Sequence, residues 1–430
     1  MKYIFAFLLF MSFRLLTFSQ VDQTEIDCLR QFPQWGNLIK GKYGVGYKDT
    51  LILKKGESFS YFTYNDSKPF FISIWYPAIE NEKVEFMKYK EYKSLYKKTD
   101  CNPLTDSLLE IFDHILIRDG ICKNIKNYED IIFSDSLKKL YIDILSTNVY
   151  AKANLVAVKG KFPCIVYHHG AQSTPFDNNV FCEYMASHGF VVVSACYNLP
   201  NEEQSKSLIT STDSHFDMIS DLQFVIDQTK KMQNIDTTNI SAVGHSLGAQ
   251  TLIRCDNQTE SKNIQKIISL HTTMEDKSIQ DAKMYWPEFE YLYSNSTKKS
   301  TTPVIFFAPL NLDRLIGVDT KSGKEIIVRT DTISPKFTAF RCNKNTPYSF
   351  ITIKHNVTHD GFIALGNLRF PYCRKYNLTD YEEIINQQYY YEQIIRITHD
   401  ILKSNSESLI LPKGMTNNKH IEVEFHNQRQ

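Results

Sequence analysis

Gly244-His245-Ser246-Leu247-Gly248 is a G-x-S-x-G pentapeptide, directly after the apolar run Ile240 to Val243 and directly before the helical stretch Leu247 to Arg254. A turn that sharp, from strand into helix, leaves no room for a β-carbon at either glycine and lifts the serine hydroxyl above the sheet edge. The chemistry it points to is attack by Ser246 on an acyl carbon. A hydroxyl is a weak nucleophile at neutral pH, so a base must come from elsewhere in the chain. His359 fits that need. It stands in Ile351-Thr352-Ile353-Lys354-His355-Asn356-Val357-Thr358-His359-Asp360-Gly361-Phe362, past a β-rich run, and Asp360-Gly361 supplies a turn that lets it reach back. His355, nearer the strand end, is the rival. The two share the H-x3-H spacing of metal pairs, but no glutamate follows the first histidine and no helical pattern surrounds them, so neither metal nor cofactor is expected.

Acyl transfer also needs donors for the oxyanion, and His168-His169-Gly170-Ala171 follows the apolar run Cys164 to Tyr167 where such a loop belongs. The backbone N–H groups of Ala171 and Leu247 are the expected donors, the second at the positive end of a helix dipole. His169 and His245 are expected to be structural hydrogen-bonding residues. The acid that orients the base is the least determined member. Asp313, past the run Val304 to Ala308, is the first choice, and Glu275 and Asp276, past Ile264 to Leu270, are the alternatives.

These residues must be held by a frame. Phe70 to Tyr76 alternates like a half-buried strand, with a weaker one before it from Tyr43 to Leu53. From Phe162 onward the runs become continuously apolar: Cys164 to Tyr167, Phe190 to Cys196, Ile240 to Val243, Ile264 to Leu270, Val304 to Ala308 and Phe350 to Ile353. That is the pattern of parallel strands buried on both faces. Helical stretches at Asp177 to Ser187, Ser214 to Lys231, Leu247 to Arg254 and Asp380 to Lys403 fall between or after them. The expected class is α/β, a mostly parallel eight-stranded sheet with helices on both faces. One hydrolase-type domain over residues 41–403 is expected, with a tail over 404–430. Residues 81–150 form a polar, Lys-rich helical insertion, and together with residues 275–302 and 319–346 they are candidate lids. Tyr89, Tyr92 and Tyr96 share one helical face in that insertion, either resting on a lipid surface or packing on the sheet.

Composition narrows the setting. The chain of 430 residues is 42% hydrophobic and 23% charged, a folding composition, and 49 Lys+Arg against 48 Asp+Glu leave no basic block for nucleic acid. Met1 to Ser19 reads MKYIFAFLLFMSFRLLTFS, with Lys2 ahead of an apolar stretch that Arg14 cuts short, the layout of a cleaved export signal. Its removal takes two positive charges and leaves a net −1. Nine cysteines form no CxxC pair. Cys164, Cys182 and Cys196 read as buried hydrophobes, whereas Cys342 with Cys373 and Cys101 with Cys122 have partners at spacings that could bridge.

His168-His169-Gly170-Ala171, Gly244 to Gly248 and His359-Asp360-Gly361-Phe362, with Gly41-Lys42-Tyr43-Gly44-Val45-Gly46, Trp75-Tyr76-Pro77-Ala78 and Gly160-Lys161-Phe162-Pro163, resemble secreted α/β-hydrolases of the platelet-activating factor acetylhydrolase and dienelactone hydrolase-like group. The resemblance covers about residues 41–80 and 155–370. It implies Ser246 as nucleophile, His359 as base, Ala171 and Leu247 as oxyanion donors, and metal-free hydrolysis of short acyl or lipid esters. One departure stands out: where that group carries its acid, right after the sixth strand, this chain has Leu270-His271. The group's acid therefore has no counterpart here.

The resulting expectation is an exported, monomeric serine esterase acting on a small ester or a lipid, with peripheral contact to a lipid surface through the insertion. Two other readings stay open. A peptidase of the same fold is one, because the pentapeptide does not separate esters from amides, and a silent binding protein is the other, because of His271.

Overall fold

The computed structural model describes residues 31–57, 66–94, 96, 103–122, 135–200, 215–258, 264–272, 302–309, 315–318, 325–328, 348–355, 357–404 and 421–426. Residues 1–19, expected to be an export signal, and Asp313, Glu275, Asp276, Cys101 and Cys342 lie outside the described residues. Two long strands come first, β1 (Gly44–Lys55) and β2 (Ser67–Ala78), paired antiparallel from Gly44 with Ala78 to Lys55 with Ser67. The short β3 (Ala151–Ala153) runs parallel to β1 at its outer edge.

The apolar runs then become β4 (Phe162–His168), β5 (Val191–Ala195), β6 (Ile235–His245), β7 (Ile264–Leu270), β8 (Val304–Pro309) and, after a small separate hairpin of β9 (Leu315–Val318) and β10 (Glu325–Val328), β11 (Tyr348–Ile353). They pair in parallel, with β5 joining the antiparallel pair through β2. A last strand, β12 (Ile421–His426), pairs antiparallel with β11. The sheet therefore has ten strands, in the order β12-β11-β8-β7-β6-β4-β5-β2-β1-β3. The eight strands read from sequence are all there. The additions are the two edge strands, and β12 lies in what sequence reading assigned to a tail.

Side chains alternate between the faces at the strand period. Ile165, Tyr167, Val243, Ile268, Ile305 and Ile351 enter one core, whereas Cys164, Val166, Ala242, Ile267, Phe306 and Phe350 enter the other. Helices cover both faces. The insertion contributes α1 (Pro103–Ile115), continued by a π turn at Leu116–Ile121, and α2 (Asp135–Ser146). Leu104, Leu108, Ile111, Phe112 and Ile115 recur at three-and-four spacing and turn inward on the first face. The same face is packed by α3 (Asn179–Ser187). The opposite face is covered by α4 (His215–Lys230) and α5 (Leu247–Gln258), through Leu222, Val225, Ile226, Leu252 and Ile253. The long α6 (Tyr381–Lys403) returns to the first face.

The three tyrosines of the insertion are buried, with Tyr92 fully enclosed. Tyr92 stacks on Phe176 and takes a hydrogen bond from Trp75 Nε1 at 3.1 Å, so that face packs on the sheet and is not open to lipid. Cys122 and Cys373 are buried, while their candidate bridge partners Cys101 and Cys342 lie outside the described residues, and Cys164, Cys182 and Cys196 are buried as expected. Among the described residues no helix is long and apolar enough to cross a membrane.

A charged residue lies inside the first core. Glu183 of α3 is fully buried and accepts hydrogen bonds from Trp35 Nε1 at 2.9 Å, the Tyr150 amide at 2.9 Å, Asn179 Nδ2 at 3.0 Å and the Tyr92 hydroxyl at 2.5 Å. Burial raises its pKa while these four donors hold it down. The carboxylate thus ties the N-terminal segment, the insertion and the approach to β3 to one helix.

Candidate active site

Strands β4, β6, β7, β8 and β11 are neighbours and parallel, so their C-terminal ends open on one edge. The loops leaving β4, β6, β7 and β11 carry His168 to Ala171, Ser246, His271 and His359. Ser246 sits between β6 and α5 with φ of 53°, a left-handed conformation that a non-glycine residue adopts only under constraint. Its amide bonds to the Leu270 carbonyl at 3.2 Å, and its carbonyl accepts from Gln250 within the helix. Gly248 is required by a neighbour: a β-carbon there would stand 2.2 Å from the His168 carbonyl oxygen and 2.5 Å from that of His169. The elbow is therefore pressed directly onto the loop after β4.

That loop is fixed atom by atom. Tyr197 N–H donates to His169 Nε2 at 3.2 Å, so the proton of this ring is on Nδ1, which donates to the Gly170 carbonyl at 2.8 Å. Asn198 Nδ2 donates to the same carbonyl at 3.3 Å. The Gly170–Ala171 peptide is trans, so with its carbonyl held inward its N–H, that of Ala171, points the other way. A β-carbon on Gly170 would lie 3.2 Å from Ser246 Cβ, which measures how near the loop comes to the serine. Leu247 is the first residue of α5, and its N–H is among those with no acceptor inside the helix. His168 stacks on Tyr197 at 3.7 Å. Burial pushes His168 down to about 3 and His169 to about 4, so both are neutral at pH 7.

His359 opens a short 3-10 turn, His359–Phe362, beyond β11. Its carbonyl accepts from His245 Nε2 at 3.0 Å, and its Nδ1 lies 3.0 Å from Nδ1 of His271. The rings of His245 and His271 flank it, with centroids 4.5 and 4.8 Å away. His355 instead stacks on Tyr390 at 4.6 Å. The only His/Cys/Asp/Glu trio among the described residues that comes within metal-binding reach is His245, His359 and Asp360, their donor atoms within 4.8 Å of one another. His245 Nε2 donates to the His359 carbonyl, so the lone pair of this ring is on Nδ1. The H-x3-H pair of the sequence is not part of that grouping.

One buried acid went unrecognised in the sequence. Asp177 is fully enclosed behind the loop after β4, accepting from Tyr167 Oη at 2.7 Å and Ser173 Oγ at 2.6 Å, and from the Gly170 amide. Its position before α3 reads as a helix start, and no spacing signal marks it as enclosed. Burial, opposed by these bonds and assisted by the charge of Asp360, pushes it up to about 7. A carboxyl raised on folding gives stability that is intact below its unfolded pKa of 3.8 and lost as pH rises toward 7. Asp177→Asn, neutral at every pH, is expected to gain on the parent by about 2 kcal/mol between pH 5 and 8. Urea unfolding of both proteins at the two pH values checks this, and a stability difference that does not move with pH would refute it.

The sequence model of the chlorophyllase family matches residues 139–268, the span that holds β4, β5, β6 and Ser246. No curated protein matches the chain. The solved ferulic acid esterase from Streptomyces cinnamoneus aligns over 89% of this chain and 96% of its own, with TM-score 0.51 and 13% identity. The fold is that of an α/β-hydrolase. The complex of pOPH with pNPB aligns over 63% of the hydrolase-fold chain and 87% of its own, at TM-score 0.36 and 13% identity. The likeness to the ferulic acid esterase speaks for the architecture alone, while chemistry has to be argued from the site.

Proposed function

We propose that the protein is an exported serine hydrolase that cleaves carboxylic esters, with short-acyl or lipid acetyl esters as its substrates, in the manner of the platelet-activating factor acetylhydrolase group. The observation that carries the reading is Ser246, held in a left-handed elbow at the end of β6 and pressed against the loop of Gly170. The turn of His359 is bonded to the residue next to it. In this reading Ser246 Oγ attacks the ester carbonyl while its proton passes to His359 Nε2, and the carbonyl π pair moves onto oxygen. The Ala171 and Leu247 amides receive that oxyanion. His359 then gives the proton to the departing alkoxide as the carbon–oxygen bond breaks, and water repeats the sequence on the acyl-enzyme.

The test is fluorophosphonate labelling of the mature protein with Ser246→Ala as control, followed by nitrophenyl esters of increasing acyl length and peptide anilides. Labelling that depends on Ser246, with turnover of short-acyl esters, is the expected result. Anilide turnover without ester turnover would make it a peptidase. No Ser246-dependent labelling would leave a binding protein on a hydrolase scaffold, the reading that His271 in the acid's place favours.

A further inference from the structure

His271 is a histidine where the hydrolase architecture puts a carboxylate, and the structure gives it a definite contact. It follows β7 with φ of 52°, its amide bonded to the Phe307 carbonyl at 3.0 Å. Its side chain is buried beside Phe362 and meets His359 Nδ1 to Nδ1 at 3.0 Å. The ionisable groups facing it are His359 on the turn after β11 and His245 at the end of β6, and Asp360 adjoins the same turn. Two nitrogens at that distance share one hydrogen, and two tautomer pairs are possible. If His271 donates, His359 carries its proton on Nε2 and has no lone pair for the serine. If His359 donates, His271 accepts with Nδ1, and Nε2 of His359 keeps the lone pair that a base needs.

Resting on the serine-hydrolase reading above, we infer that His271 is the positioning residue that holds His359 in the base tautomer, so that the triad is Ser246-His359-His271. His271 acts as an acceptor only if it stays neutral. Burial and the two neighbouring histidines hold its pKa well below the usual histidine range. When His359 takes the serine proton, both of its nitrogens carry hydrogen, and His271 Nδ1 goes on accepting from Nδ1–H. A neutral acceptor fixes ring and tautomer but offers no negative charge to the imidazolium, so the reaction runs with only part of what a carboxylate supplies.

Three variants read this out on a nitrophenyl ester between pH 5 and 9, with fluorophosphonate labelling alongside. His271→Ala should lower kcat by about 10^2 to 10^3 with KM changed less than about threefold. His271→Asn, whose Oδ1 also accepts, should recover most of that loss. His271→Asp should raise kcat above the parent by about tenfold or more and move the acid limb of kcat/KM to higher pH, because a carboxylate raises the pKa of its histidine partner. A purely structural role would move neither the limb nor the Asn/Ala difference. Long-range proton–nitrogen NMR of the labelled Ser246→Ala protein adds a readout free of turnover, and should find His359 protonated at Nδ1 and His271 at Nε2. The inference is overturned if the parent is labelled but His271→Ala keeps the parental kcat and pH profile, if the opposite tautomers are found, or if Asp313→Asn causes the loss expected of His271→Ala. If the parent is not labelled at Ser246, the hydrolase reading falls and the inference with it.

Discussion

Ser246→Gly is expected to yield a protein that is catalytically dead yet at least as stable as the parent. Removing the hydroxyl removes the nucleophile, and ester turnover should fall by about 10^4-fold or more. The same change removes the β-carbon from a residue held at φ of 53°. A side chain in that region costs about 1–2 kcal/mol, against which the greater freedom of glycine in the unfolded chain returns about 0.5–1 kcal/mol. The net gain is between about 0 and 1.5 kcal/mol, seen as an unchanged or higher Tm. Ser246→Ala keeps the β-carbon and the strain, and should match the parent in stability while being equally inactive. A glycine variant clearly less stable than the alanine variant would mean that the elbow is not strained at this residue.

Glu183→Ala should be among the most destabilising single changes the chain can take, at about 3–5 kcal/mol. The side chain is fully buried, and its loss leaves the Trp35 indole, the Tyr150 amide, the Asn179 amide group and the Tyr92 hydroxyl facing a cavity. Unpaired buried donors cost about 1–3 kcal/mol each before any relaxation. Glu183→Gln fills the same space and still accepts through one oxygen, so about 1–3 kcal/mol is expected there. Urea denaturation gives both values. A loss under about 1 kcal/mol for alanine would show that water replaces the carboxylate at little expense.

Much of this fold is legible in the order of its residues because parallel strands buried on two faces need unbroken apolar runs, and six of them stand out from Phe162 onward. The elbow was legible for a related reason, since a glycine on either side of Ser246 has few other uses. What escaped was structure without a local signature. β3 is three residues long and exists because β1 lies beside it. Ile421–His426 alternates apolar and polar residues, but polar flanks hid it as an edge strand until β11 was seen to need a neighbour. Glu183 and Asp177 are charged residues that composition places on the surface. They are buried because donors as distant as Trp35, 148 residues away from Glu183, come to them. The place of His271 could be read from the sequence, whereas its contact depends on how two loops from different strands converge.

The bond from the Ser246 amide to the Leu270 carbonyl has a mechanical meaning. It staples the elbow of Ser246 to the strand end from which His271 departs, so the two residues share one support, the central strands of the sheet. His359 belongs to a short turn beyond β11 that meets this support through the rings of His245 and His271. In the proposed triad, the alignment of base and serine therefore depends on how that turn seats on the strand ends, where the rings of His245 and His271 bound it.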